Sequence, residues 1–100
     1  MAVMFAHMHT LSAATTRCDT DAMLRFVDAQ RDADGRRIGA VGYCMSGPFV
    51  MWAAAALPGR FRSIASIHGA NMATDTPDSP HRVAPQIDCE CYFACAEIDK

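Results

Sequence analysis

The 100-residue chain lacks several features that would assign it to particular classes of protein. Its 9 basic and 11 acidic residues give a net charge of −2, without the basic cluster of a nucleic-acid-binding protein. No apolar run is long enough to span a membrane. The first residues lack the basic region and long apolar core of a signal peptide. We therefore expect one cytoplasmic domain without a nucleic-acid or membrane partner, and the sequence does not fix its oligomeric state.

The five cysteines are odd in number and include no C-x-x-C pair, and without a secretion signal they are expected to be reduced thiols. Cys89, Cys91 and Cys95 suggest a metal site at first sight. On a strand that rises ~3.3 Å per residue, however, the outer two lie about 20 Å apart. One zinc ion cannot take ligands of ~2.3 Å from both ends of that line. We expect no metal site and no cofactor.

The hydrophobic pattern predicts an alternation of helices and strands. The predicted elements are a helix over 15–30, a strand over 38–41, a helix over 46–57, a strand over 62–67, a loop over 71–86 with one helical turn near 79–83, and a strand over 87–94. Such alternation predicts an α/β fold, a three-layer α/β/α sandwich with a parallel sheet. Three strands are too few to close a sheet, and their apolar faces need neighbours on both sides.

Three packing predictions follow from the pattern. The first helix should pack through apolar residues spaced by three or four, with Met23 and Val27 beside them. These residues are Cys18, Ala22, Phe26 and Ala29. The second helix carries no charged residue and should be buried on most sides. The short apolar strand over 38–41 should be buried on both faces.

The segment over 42–47, with the sequence G-Y-C-M-S-G, has the layout of a nucleophile elbow, in which a strand turns sharply into a helix. Cys44 takes the place that serine has in G-x-S-x-G. Because the nucleophile has a strained backbone, the residues two before and two after must be small, here Gly42 and Ser46, backed by Gly47. A thiol at a helix N-terminus is favoured as thiolate, and the amide of Met45 would point at a developing oxyanion. The alternative is a buried cysteine in an ordinary crossover.

Four segments together resemble the dienelactone hydrolase family of α/β-hydrolases over roughly residues 12–100. They are R-I-G-A-V-G-Y-C-M-S-G over 37–47, A-S-I-H-G over 65–69, T-D-x-P-D-S-P-H over 74–81 and Y-F-A-x-A-E-x-D over 92–99. The resemblance implies a Cys-Asp-His triad in that chain order, with Cys44 as nucleophile and Asp99 as the acid that orients the histidine. It implies that the amide of Met45 forms half of the oxyanion hole. It also implies small-molecule enol-lactone or ester substrates, cleaved through an acyl-enzyme.

The sequence departs from the family pattern at the base. The family's histidine follows the acid, and none of the four histidines here stands at that position. They are His7, His9, His68 and His81. We expect residues 1–100 to form a single partial α/β-hydrolase domain that lacks the N-terminal strands and the C-terminal strand, helix and catalytic histidine. Such a chain should have little or no activity by itself. We expect His68 to have a packing or strand-end role and His81 to be solvated or to anchor its loop.

Two other functions stay open at this point. One is a non-catalytic α/β binding module that keeps the elbow geometry. The other is a thiol redox or sensor protein, because a helix N-terminus also activates a cysteine toward oxidation.

Overall fold

The computed structural model describes residues 10–96, together with Val3 and Ala6. The elements, in chain order, are α1 (Ala13–Asp28), β1 (Ile38–Tyr43), a 3-10 turn (Cys44–Ser46), α2 (Gly47–Ala56), β2 (Phe61–Ile67), α3 (Pro80–Val83), a second 3-10 turn (Ala84–Gln86) and β3 (Glu90–Ala94). Within this part of the chain no helix has the length and apolar character needed to cross a membrane.

The three strands form one parallel sheet in the order β1-β2-β3, so β2 is central. In register, Ala40 lies beside Ile64, and Ile64 beside Cys91. The predicted α/β class with a parallel sheet is confirmed. The residues that the structure describes supply the sheet and a helical layer on one of its faces.

Helix α2 lies against β1 and β2 and also contacts α1. Every one of its residues is buried or half-buried, which confirms the burial predicted from its lack of charge. It contributes four of the seven buried hydrophobic residues of the core. These seven are Leu24, Val50, Met51, Ala53, Ala54, Phe61 and Ile64. The core therefore forms between α2 and one face of the sheet.

The predicted packing face of α1 is wrong. The buried residues of this helix are Thr20 and Leu24, whereas Cys18 and Ala22 are exposed and Phe26 is 68% exposed. The reason is that α1 packs against α2, so the residues of α1 that face α2 are buried, and these differ from its most apolar side. The helix starts two residues earlier than predicted, because the hydroxyl of Ser12 caps it by accepting a hydrogen bond from the amide of Thr15.

The prediction that β1 is buried on both faces is also wrong. Ala40 is half-buried and Gly42 buried on the side of α2, but Val41 on the opposite side is 54% exposed. Tyr43 and, across the sheet on β3, Tyr92 are more than half exposed as well. The reason is that α2 is the helix that lies against the strands, and it covers one face. Val41, Tyr43 and Tyr92 belong to what we call the open face.

The loop before β1 holds the amino end of the sheet through charged groups. Asp28 at the end of α1 forms an ion pair with Arg60, with 2.8 Å between the carboxylate and the guanidinium. Asp34 accepts hydrogen bonds from the amide and the guanidinium of Arg36 and also pairs with Arg37. The amide hydrogen bond from Arg36, followed by the guanidinium, holds the pKa of the Asp34 carboxyl below its ordinary value of 3.8.

Candidate active site

Cys44 occupies the tip of the turn that joins β1 to α2. Its φ angle is 52°, in the left-handed region that residues other than glycine rarely adopt. The strand ends one residue before it, and α2 begins three residues after it. Cys44 is exposed. The backbone therefore has the strand-turn-helix geometry that the motif over 42–47 predicts, with the cysteine at its apex.

Two glycines of this segment are approached closely by other atoms, Gly42 by the turn itself and Gly47 by β2 and the loop that follows it. A Cβ atom on Gly42 would collide with the carbonyl oxygen of Ser46 and lie 2.8 Å from its carbonyl carbon. A Cβ atom on Gly47 would lie 2.6 Å from Oγ of Ser66 and 2.7 Å from Cα of Gly69. Cβ atoms essentially never approach other atoms that closely. Gly42 and Gly47 therefore have no room for a side chain.

Ser46 has a different role from the one its small size suggested. Its hydroxyl accepts a hydrogen bond from the amide of Tyr43 at 2.8 Å and donates one to the carbonyl of the same residue at 2.7 Å. The side chain of Ser46 thus joins the residue before Cys44 to the end of the 3-10 turn. Sequence reasoning missed this contact, since the motif requires only a small residue here.

A second strained loop lies beside the turn, at the end of β2. Among the described residues, the other non-glycine residues with positive φ are His68, at 42°, and Asn71, at 57°. The amide of Ala70, between them, donates a hydrogen bond of 2.9 Å to the carbonyl of Cys44. Backbone strain of this kind is concentrated at functional sites, and the carboxyl ends of parallel strands are where α/β sheets bind ligands.

The two histidines in the described range have partners other than Cys44. The ring of His68 lies 6.3 Å from the ring of Tyr43, as expected for a packing role. Nδ1 of His81 is 2.6 Å from the hydroxyl of Ser79, which is fully buried, so His81 anchors its loop. Within residues 10–96 no histidine forms a hydrogen bond with the thiol of Cys44. His7 and His9 lie outside the described residues.

Of the other predicted site residues, Met45 is described by the structure and Asp99 is not. Met45 lies in the first turn after β1, where backbone amides have no acceptor within the helix, and its side chain is exposed. Asp99 lies outside the described residues, so its role as the acid stays a prediction.

The three C-terminal cysteines do not converge on a metal site in the described range, where no group of three histidine, cysteine or acidic side chains lies close enough to hold an ion. Cys89 is half-buried against the core, and the thiol of Cys91 donates a hydrogen bond to its carbonyl. Burial, and after it the neighbouring Cys91, raises the pKa of the Cys89 thiol. All five cysteines are unpaired.

A parallel sheet and a left-handed residue in the sharp turn from a strand to a buried helix are features of an α/β-hydrolase. The chain matches the sequence model of the dienelactone hydrolase family over residues 1–100, which is its whole length. It therefore belongs to the dienelactone hydrolase family, and the match extends beyond the region in which the resemblance was seen. A search of curated proteins and a search of solved structures find no significant match.

Proposed function

We propose that this protein is a hydrolase of the dienelactone hydrolase type that cleaves small-molecule esters or lactones, with Cys44 as its nucleophile. The observation that carries the proposal is the left-handed backbone of Cys44 at the exposed tip of a turn. Gly42 and Gly47 make that conformation possible, and it is strained. Membership of the family supports a hydrolase reaction.

The proposed reaction proceeds in two steps. The thiolate of Cys44 attacks the carbonyl carbon of the ester, and the amide of Met45 donates a hydrogen bond to the resulting oxyanion. The intermediate collapses to a thioester and releases the alcohol, which takes up a proton. Water then attacks the thioester, releasing the carboxylic acid and restoring the thiol. Asp99 would orient a histidine base, as in the family.

The histidine decides how far the chain can carry this reaction. Neither His68 nor His81 is bonded to Cys44, and the Nδ1 atom of His81 is already engaged by Ser79. A triad without its base loses most of its rate enhancement. We therefore expect the 100-residue chain to form the thioester with an activated ester and to hydrolyse it slowly.

The test is single-turnover acylation with p-nitrophenyl acetate. The chain should release at most one equivalent of p-nitrophenolate rapidly, and intact-mass analysis should find one acetyl group per chain. Cys44→Ala should abolish both signals. Cys91→Ala removes another exposed cysteine and should leave both signals unchanged. If Cys44→Ala retains the rapid release, Cys44 is not the nucleophile.

The second candidate is a binding module that retains the turn without catalysis. It is favoured by the absence, within residues 10–96, of a histidine bonded to the Cys44 thiol. A binding module would bind an ester reversibly and form no thioester in the acylation experiment. A rapid acetyl adduct on Cys44 would exclude it.

We also propose that the protein acts in the cytoplasm on a small molecule, without a nucleic-acid or membrane partner. Five unpaired cysteines are typical of a reducing compartment. The near-neutral charge gives no support for binding to nucleic acid.

A further inference from the structure

A cavity of about 340 Å³ lies between the first turns of α2 and the loop over 71–80. Its volume is at the lower end of the range of small-molecule sites, which are roughly 300–1,000 Å³. One wall consists of Pro48, Phe49 and Trp52 from α2, and the other includes Thr74 and Thr76 from the loop.

The cavity adjoins the nucleophile through the backbone on both of its walls. Met45, the residue after Cys44, lines it on the side of α2. Asn71 lines it on the side of the loop, and its neighbour Ala70 donates the hydrogen bond to the carbonyl of Cys44. The cavity therefore adjoins the turn that carries Cys44, and we expect a substituent of an ester bound at Cys44 to enter it.

The aromatic wall is joined to the opposite loop by one hydrogen bond. The indole N–H of Trp52 donates to the carbonyl of Asp78 at 2.7 Å, and the Trp52 and Phe49 rings lie 5.7 Å apart, tilted by 30°. The loop in turn is fixed by Ser79, whose buried hydroxyl accepts from the amide of Thr74 at 2.7 Å. A rigid aromatic wall of this kind binds an apolar group without first having to be ordered.

The charges around the cavity favour a neutral ligand. Asp78 is exposed and lines the cavity, and the described lining residues include no lysine, arginine or histidine. A carboxylate on the ligand would be repelled by Asp78 and would find no lysine, arginine or histidine among the lining residues that the structure describes.

From these observations we propose that the cavity binds an uncharged aromatic substituent of the substrate, with Phe49 and Trp52 as specificity-determining residues. The role in ester selection rests on the proposed function, whereas binding itself does not. The protein would then select neutral aryl or benzyl esters and discriminate against esters that carry a carboxylate in that substituent.

Binding can be measured without turnover because Trp52 is the sole tryptophan of the chain. We would titrate the Cys44→Ala chain with N-benzylacetamide, a neutral amide, and with 4-(acetamidomethyl)benzoate, its carboxylate counterpart. Trp52 fluorescence should change saturably with the neutral probe, and the carboxylate should bind about tenfold more weakly, a factor that one mismatched group in a pocket can produce. A change that does not saturate, or equal affinities, would overturn the proposal.

Three variants separate the cavity from a general effect on the loop. Thr76→Phe fills the cavity and should abolish saturable binding of N-benzylacetamide. Asp75→Phe adds the same ring to the neighbouring exposed position, which does not line the cavity, and should leave binding unchanged. Asp78→Lys changes an exposed side chain and keeps the carbonyl that accepts from Trp52, so it should shift the preference about tenfold toward the carboxylate.

The outcomes of these titrations are independent of the acylation experiment. Unchanged binding in Thr76→Phe, or an unchanged preference in Asp78→Lys, would overturn the assignment of the cavity even if Cys44 is acylated. Saturable binding that these variants alter would support the cavity even if Cys44 forms no thioester, in which case the proposed hydrolase function alone fails.

Discussion

The two faces of the sheet differ in how strictly structure limits the residue type. On the face covered by α2, Ile64 is 3% exposed and Gly42 has no room for a Cβ atom. On the open face, Val41 is 54% exposed, and a Cβ atom on Gly39 would meet nothing nearer than 3.5 Å. On strand β1, the side that faces α2 is half-buried or buried, whereas the side chains on the other side are exposed. Gly42 on the covered face is also the residue against which the turn after Cys44 packs, through the backbone of Ser46.

The largest difference between the faces should be found in truncations of their apolar residues. Ile64→Ala should lower the free energy of unfolding by about 2–5 kcal/mol, because it leaves a cavity under α2. Val41→Ala on the open face should lower the free energy of unfolding by less than about 1 kcal/mol, since its exposed side chain makes few contacts that alanine would lose. Urea titration followed by circular dichroism measures both. Equal losses would mean that the open face is covered in solution.

A smaller difference should separate two glycines of β1. Gly42→Ala should lower the free energy of unfolding by about 1–3 kcal/mol, because the new methyl group collides with the backbone of Ser46. Gly39→Ala is the matched control on the open face and should be neutral or stabilising by up to about 1 kcal/mol, since its methyl group fits and the unfolded chain loses entropy. Thermal unfolding of the two variants compares them directly. A destabilised Gly39→Ala would remove the distinction between the faces.

The smallest effect should come from Asp34, at the exposed amino end of the sheet. The pKa of its carboxyl is lowered by the hydrogen bonds from Arg36, so its stabilising contribution is present above the unfolded-state pKa and is lost as the pH falls through the folded-state value. Asp34→Asn should therefore unfold at a slightly lower temperature than the wild type at pH 6, and the gap should close below about pH 3.8.

The control for Asp34 is Asp32→Asn, an exposed residue of the same turn that forms no ion pair within residues 10–96. Its unfolding temperature should follow that of the wild type at every pH. A gap for Asp34→Asn that widens on acidification would contradict the assigned direction of the shift.

The turn at Cys44 could be predicted from the sequence because its requirements are local. A sharp turn around a left-handed cysteine requires neighbouring residues without side chains, and the sequence shows two of them, Gly42 and Gly47. The hydrogen bonds of Ser46 with the backbone of Tyr43 could not be predicted, because the motif requires only a small residue at this position and serine already meets that requirement. The order of elements and the parallel sheet also followed from short-range pattern.

The packing of the elements was harder to predict than their order, because it depends on which helices and strands contact each other in the folded chain. Periodicity offered Phe26 as a packing residue of α1, but the helix buries Leu24 and Thr20 against α2 instead. The apolar strand β1 was expected to be buried on both faces, and Val41 shows that one is open. The acid Asp99 was assigned by resemblance alone and stays a prediction.

The central claim, that the geometry of the turn makes Cys44 the reactive thiol, can be tested by competition among the five cysteines of one sample. The chain is treated with less than one equivalent of p-nitrophenyl acetate, quenched in acid and digested with pepsin, and the acetyl group at each cysteine is quantified by mass spectrometry. Cys44 should carry about ten times more acetyl than the exposed Cys91, because the amide of Met45 is proposed to stabilise the oxyanion that forms on attack by Cys44. Gly42→Ala should remove this preference and Gly39→Ala should keep it. Equal acetylation of Cys44 and Cys91 in the wild type would contradict the account.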